Sequence, residues 1–138
     1  MEVRVRHTLQ MAHRLWNVDS KCQHLHGHTW AVTLIIIGEK EGDMLVDFYH
    51  IKRAFVDWLD SNFDHKLVLH ARDPLLTYYD GPETEEHYPG LVQVAFVPTV
   101  ENLCEYWIAT AKVLFGNKYS YGIEVWEGES NSAATTLE

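Results

Sequence analysis

Residues 21–28 read KCQHLHGH, and this stretch holds one thiol, three imidazoles and a glycine between two of the imidazoles. His26 and His28 stand two residues apart, a spacing at which both can reach one metal ion, and Gly27 lets the backbone bend between them. Zinc prefers nitrogen and sulfur ligands in a tetrahedral shell, with Zn–N distances of about 2.0–2.1 Å. The stretch therefore predicts a zinc site with His26 and His28 as two of its ligands.

The sequence leaves alternatives for the remaining zinc ligands. Cys22 either closes the shell as a structural ligand or stands free beside the metal as a nucleophile or base. A catalytic zinc needs a third protein ligand, and His13, at the end of the first predicted strand, is one candidate. His24 is the other, because alternate residues of an extended chain share one face.

Length and composition restrict the class of protein. The chain has 138 residues, 46% of them apolar and 22% charged, and we expect one domain, 1–138, with a hydrophobic core. Its formal net charge of −9 argues against a nucleic-acid binder, which needs a basic face. Two cysteines are too few for a disulfide framework, and no apolar run is long enough to span a membrane. Because no signal peptide is visible, we expect a cytoplasmic protein that binds neither nucleic acid nor membrane.

Periodicity predicts two strands and a helix in the first half of the chain. Residues 2–9 alternate between apolar and polar side chains, and residues 29–37 are rich in β-branched side chains, so both segments are predicted as strands. Asp47 is typical of an N-cap, and apolar residues at helical spacing follow it as far as Phe63. The pattern indicates an amphipathic helix of about four turns.

The second half is predicted to contain a loop, a helix and a strand, which makes the chain an α+β protein. Residues 70–91 are rich in proline, glycine and glutamate and are interpreted as a long loop insertion, with a short strand possible over 91–97. Thr99 is the expected cap of a second helix. A last strand is predicted from Tyr119 to Trp126, followed by a polar tail.

Three acidic positions have both a chemical and a structural interpretation. Asp64 beside His65 can fix the imidazole tautomer for acid–base work, although a histidine there can simply meet the helix dipole. Glu101, in the first turn of the second helix, can complement that helix dipole. Glu127 can accept two parallel N–H bonds from a guanidine-like ring edge, or it can be solvated. Sequence spacing alone does not separate these interpretations.

Seven short motifs together resemble the 6-pyruvoyltetrahydropterin synthase / 6-carboxytetrahydropterin synthase family. In chain order they are Ala12-His13-Arg14-Leu15, Lys21-Cys22, His26-Gly27-His28, Val46-Asp47-Phe48, Asp64-His65, Pro98-Thr99-Val100-Glu101-Asn102 and Val125-Trp126-Glu127. The resemblance runs from residue 3 to about residue 128 and leaves out the 70–91 segment. The Cys-x-x-Leu-His-Gly-His spacing and Asp47-Phe48 look more like the bacterial 6-carboxy branch than the animal 6-pyruvoyl branch.

The resemblance implies a tunnelling fold, an antiparallel sheet with two helices packed on one face. In such families the subunits join their sheets into a barrel, commonly as a homohexamer built from two trimers, with active sites between subunits. It also implies a role for each candidate residue. The implied zinc ligands are His13, His26 and His28, without His24; the implied acid–base residues are Cys22, Asp64 and His65; the implied pterin-binding residues are Thr99, Glu101 and Glu127.

The implied reaction is that of a zinc-dependent lyase on 7,8-dihydroneopterin triphosphate. Its products would be 6-carboxytetrahydropterin, acetaldehyde and triphosphate, which feed 7-deazaguanine (queuosine-type) biosynthesis. We expect Lys21, Lys66 and Arg14 to supply positive charge for the triphosphate. Two alternatives remain, a 6-pyruvoyltetrahydropterin synthase, and a non-catalytic pterin- or zinc-binding member in which Cys22 joins the histidines of 21–28 in a closed site.

Overall fold

The computed structural model describes residues 1–79 and 89–138. Within them the strands are β1 (Glu2–His13), β2 (His26–Ile37), β3 (Lys66–His70), β4 (Leu91–Val94), β5 (Ser120–Glu127) and β6 (Asn131–Leu137). The helices are α1 (Phe48–Ile51), α2 (Asp57–Phe63), α3 (Leu76–Tyr79) and α4 (Val100–Phe115). A 3-10 turn covers Lys21–Gln23, and a π-helical turn, Lys52–Val56, joins α1 to α2.

The strands form one sheet in the order β4-β3-β1-β2-β5-β6. The pairs β1–β2, β2–β5 and β5–β6 are antiparallel, whereas β1–β3 and β3–β4 are parallel. The expected antiparallel sheet therefore holds for four strands, and the whole sheet is mixed. The reason is that the α1–α2 crossover returns the chain to the free edge of β1 in the direction of β1 itself.

Helices cover one face of this sheet, as expected. The inward-facing residues of β1, β2 and β5 alternate along each strand and form the core with apolar residues of α1, α2 and α4. Trp30 from β2, Phe55 from the π-helical turn and Trp107 from α4 are among its largest fully buried side chains. The core thus fixes which face of β1, β2 and β5 points toward the helices.

Both expected helix caps are confirmed. The Asp47 carboxylate accepts a hydrogen bond from the Tyr49 amide at 2.9 Å, and the Thr99 hydroxyl accepts one from the Asn102 amide at 3.1 Å. These caps satisfy amide groups that a helix leaves without partners at its start. In the described part of the chain, no helix has the length and apolar character needed to cross a bilayer.

Two strands were not predicted. The expected loop 70–91 begins inside β3 and contains α3, while residues 80–88 lie outside the described residues. The expected 91–97 strand is present but ends at Val94. The polar tail forms β6, an edge strand whose Ala133 and Leu137 pack against the core. Most of its side chains are small or polar and partly face solvent, so the segment has no clear apolar–polar alternation by which a strand could be predicted.

Candidate metal centre

Four side chains converge where β1 ends, β2 begins and β5 ends. The ligand atoms of His13, His26, His28 and Glu127 all lie within 4.8 Å of one another. His13 of β1 is paired with His26 of β2, and Glu127 of β5 is paired with Trp30 of β2. Since alternate residues share a face, the cluster continues the core-facing rows of the three strands. We call these four residues the metal cluster.

Backbone carbonyls orient two of the imidazoles. His13 donates its Nδ1–H to the Pro98 carbonyl at 2.7 Å, and His26 donates its Nδ1–H to the His24 carbonyl at 2.6 Å. Each ring therefore keeps a lone pair on Nε2 for a ligand. Metal-binding histidines usually have an outer hydrogen bond of this kind, which fixes both tautomer and ring orientation.

The cluster fits a cation. The Nε2 atoms of His13 and His28 are buried without a hydrogen-bond partner, although each is close to Glu127, at 3.6 Å and 3.3 Å. Buried polar atoms are rarely left unpaired, and an ion between them would satisfy both nitrogens. Three imidazoles form a donor set that zinc accepts at catalytic sites, where the fourth tetrahedral position is kept for water or substrate.

Burial keeps the His13 imidazole neutral, which is the form that binds a metal. It lowers the pKa of His13 from 6.5 to about 4; the hydrogen bond to Pro98 opposes this shift, and His26 and His28 add to it. The imidazole is therefore neutral at pH 7, as metal binding requires. Trp30 lies beneath the cluster, with ring centroids 5.0 Å from His13 and 5.7 Å from His28.

The lowered pKa predicts a pH dependence for the metal-free protein. The unfolded chain binds a proton at His13 below pH 6.5, while the folded chain resists protonation down to about pH 4. Stability from this residue is present above pH 6.5 and is lost as the pH falls toward 4, by up to about 3 kcal/mol. Urea unfolding of chelator-treated protein across this range measures the loss. A His13→Gln variant should show a shallower dependence, and equal slopes would contradict the assignment.

Cys22 and His24 lie outside the metal cluster. Cys22 is half-buried in the 3-10 turn, and His24 is exposed, with its carbonyl rather than its ring supporting His26. The cluster combines His26 and His28 with His13 and Glu127, so it differs from the alternative closed site of Cys22 and the three histidines of 21–28. Cys104, the other cysteine, is buried in the core.

His65, which is hydrogen-bonded to Asp64, lines a cleft that also includes His28 of the metal cluster. Asp64 Oδ2 accepts a hydrogen bond from His65 Nδ1 at 2.8 Å, and Asp64 Oδ1 accepts one from the Gln10 amide at 2.9 Å. Burial alone would raise the pKa of Asp64, but these hydrogen bonds lower it below its ordinary value. His65 has a positive φ of 58° and a side chain that is 77% exposed. The ring is therefore accessible to a molecule in the cleft.

This cleft has a volume of about 500 Å³. Its lining includes Gln10, Ala12, Gly27 and Thr29, whose positions alternate with those of the core-facing histidines, together with His65 and Lys66. No lining residue of the cleft, within the described chain, is acidic. In a chain of net charge −9, that composition is suited to an anion.

The remaining predicted residues, Thr99, Glu101 and Arg14, are not members of the metal cluster. Thr99 caps α4 directly after Pro98, the residue whose carbonyl holds His13, and Glu101 is exposed in the first turn of α4. Arg14, expected to offer free positive charge, is instead paired with buried Asp73. Three contributors were missed from sequence, the Pro98 carbonyl, the Trp30 ring and the placement of Glu127 beside the histidines. Of these three, only the Pro98 carbonyl had a local sign in the sequence, because a proline immediately precedes the predicted helix cap Thr99.

The amino-acid sequence is similar to that of known proteins. A sequence model described as 6-pyruvoyl tetrahydropterin synthase matches residues 2–138. A Rickettsia bellii protein named 6-carboxy-5,6,7,8-tetrahydropterin synthase is 36% identical over 94 residues, covering 66% of this chain and 65% of that protein. The match thus spans just under two thirds of that relative's length. An Aquifex aeolicus protein of the same name is 27% identical over 124 residues, covering 83% of this chain and 75% of that protein.

Solved structures share the fold. A crystal structure of an uncharacterised Wolinella succinogenes protein superposes with a TM-score of 0.80 at 21% identity, covering 100% of this chain and 99% of that chain. The 6-pyruvoyl tetrahydropterin synthase of Plasmodium vivax superposes with a TM-score of 0.75 at 19% identity, covering 100% and 98%. These likenesses confirm the expected tunnelling fold. Together with the match over residues 2–138, they lead to one conclusion: this chain belongs to the 6-pyruvoyl tetrahydropterin synthase family.

Proposed function

We propose that residues 1–138 form a zinc-dependent lyase that converts 7,8-dihydroneopterin triphosphate and one water molecule to 6-carboxytetrahydropterin, acetaldehyde and triphosphate. The observation that carries this proposal is the metal cluster, in which two buried imidazole nitrogens have no hydrogen-bond partner among the described residues. The Rickettsia and Aquifex relatives are named for the 6-carboxy product, which favours that branch. The product would enter 7-deazaguanine synthesis in the reducing cytoplasm, where Cys22 stays a free thiol.

His13, His26 and His28 would hold the zinc ion. When bound, zinc supplies Lewis acidity toward the side-chain oxygens of the substrate and stabilises the negative charge that develops there. Glu127 would anchor the guanidine-like edge of the pterin, with Thr99 and Glu101 at the start of α4 assisting. Glu127 is 3.3 Å from His28 Nε2, so a pterin bound to this carboxylate would lie beside the residues that would hold the ion.

Cys22 and the Asp64–His65 pair would move protons. The Cys22 thiolate would remove a carbon-bound proton from the side chain, and Asp64 would hold His65 so that its Nε2 can give or take another. In one chain His65 lines a cleft that also includes His28 of the metal cluster, and the His65 side chain stays 77% exposed there. We therefore infer that the active site forms between subunits, in a homohexamer of two trimers.

Lys66 would attract the triphosphate. It lines the acid-free cleft, whereas the charge of Arg14 is already neutralised by Asp73. We expect Lys66→Met to raise KM about tenfold with a smaller change in kcat, because a lost charge contact weakens binding more than chemistry. Steady-state kinetics measure this change. Lys52→Met, on the exposed side of the π-helical turn, is the matched control and should leave KM unchanged.

The proposed function is tested by incubating zinc-loaded protein with 7,8-dihydroneopterin triphosphate and quantifying both pterin products and acetaldehyde. Acetaldehyde formed in equal amount with 6-carboxytetrahydropterin supports the proposal. The 6-pyruvoyl product without acetaldehyde would move the chain to the other branch of its family. No turnover despite bound zinc would favour a non-catalytic pterin-binding role.

A further inference from the structure

The ion pair of Arg14 and Asp73 has no role in the chemistry proposed above, yet it is well buried. The Asp73 side chain is 0% exposed and that of Arg14 is 19% exposed. Arg14 Nε donates to Asp73 Oδ2 at 2.8 Å, Arg14 Nη2 donates to Asp73 Oδ1, and the Leu75 amide donates to Oδ1 at 2.8 Å. Burial alone would raise the pKa of Asp73, but these bonds lower it below its ordinary value. The carboxylate is therefore ionised at neutral pH.

This pair joins two segments that are distant in sequence. Arg14 is the first residue after β1, and Asp73 lies in the turn after β3, where its amide donates to the His70 carbonyl at 2.9 Å. A forked guanidinium–carboxylate contact fixes orientation as well as distance. The beginning of the loop 14–25 is thus fastened to the end of β3.

The same loop carries Cys22 and folds back on its own beginning. The Leu15 amide donates to the Cys22 carbonyl at 2.8 Å, and the Gln23 side chain donates to the Trp16 carbonyl at 3.0 Å. Cys22 is therefore one hydrogen bond away from the residue that follows Arg14. His13 and His26, by contrast, are held by the β1–β2 pairing itself.

We propose that Arg14 and Asp73 are positioning residues for Cys22. They hold the loop 14–25 so that the thiol keeps its place relative to the metal cluster, whereas the sheet holds the ligands. This inference rests on the proposed function, in which Cys22 takes part in proton transfer. The position of the Cys22 thiol and the binding of the metal should then respond differently. Loss of the Arg14–Asp73 pair should displace the thiol and leave metal binding unchanged.

The test is Asp73→Asn, which keeps the side-chain size and removes the charge. We expect unchanged zinc content, a kcat lowered about 10- to 100-fold and a nearly unchanged KM, because misplacement of a catalytic group acts on chemistry rather than binding. Alkylation of Cys22 by iodoacetamide should become about fivefold faster as the loop opens. Cys104 does not interfere, since burial raises its pKa to about 11.

Two further variants make the result decisive. Arg14→Lys keeps the charge and loses the fork, so it should shift kcat and alkylation in the same direction, and it carries the test if Asp73→Asn does not fold. Ile36→Val, at the far end of β2, lowers stability without touching the loop and should leave both readouts unchanged. Wild-type alkylation and kcat in a destabilised Asp73→Asn protein would overturn the proposal. Altered alkylation without turnover in the wild type would retain the positioning role and reject the lyase.

Discussion

Replacement of Cys22 by alanine should leave the metal in place and lower turnover by about 10³-fold, the scale on which a general base acts. The structure supports this separation, because Cys22 lies in the 3-10 turn while the four cluster residues lie on β1, β2 and β5. Zinc content by atomic spectroscopy and product formation, measured on the same sample, provide the two readouts. Loss of zinc in the variant would make Cys22 a ligand and contradict its role as a base.

The second cysteine gives a matched control for that experiment. Cys104 is buried in α4, and its thiol donates to the Ala133 carbonyl at 3.4 Å. Cys104→Ala should lower stability modestly and leave kcat unchanged. An equal loss of turnover in both cysteine variants would show that the effect comes from the fold rather than from a thiolate.

Replacement of His26 by alanine should abolish metal binding. This residue contributes one of the three imidazoles of the metal cluster, and the His24 carbonyl already orients its ring. Changing residues that merely orient ligands typically costs 10- to 100-fold in metal affinity, so removing a ligand should cost about 100-fold or more. Competition with a chromophoric chelator measures the affinity, and turnover without added zinc should disappear with it.

His24→Ala is the control for His26→Ala, because both residues lie in the same short stretch. The His24 ring is exposed and outside the metal cluster, and alanine keeps the carbonyl that supports His26. We expect wild-type zinc affinity in this variant. A large loss of affinity there would favour the closed site formed by Cys22 and the three histidines of 21–28.

The sequence allowed prediction of the site residues best where metal-binding side chains lie at the ends of predicted strands. His26 and His28 were recognisable from their spacing, and His13 could be placed at the end of a strand that faces them. Glu127 could not be located in the same way, because its approach to His28 depends on the pairing of β2 with β5, nearly one hundred residues apart in the chain. Local spacing carries no information about such a contact.

The missed strands have a similar physical explanation. β3 has five residues, of which only the central three are apolar, and it follows soon after α2, so it is too short to distinguish from a helix end by periodicity. β6 is an edge strand with mostly solvent-facing side chains, so its pattern resembles a loop. The Arg14–Asp73 pair was hidden for another reason, since nothing in the sequence shows which carboxylate a given arginine will meet.

The register of β1 against β2 has a consequence for the assembly of the protein. Pairing runs from Glu2 opposite Ile37 to His13 opposite His26, so two of the cluster histidines form the final pair, and His28 stands opposite Met11. A slip of one residue would turn both β2 histidines away from the face that holds His13. Only a correctly paired chain could then surround an ion, and binding would stabilise that chain over chains paired in a slipped register. A bound metal would thereby favour the correct register during sheet formation, before any substrate binds.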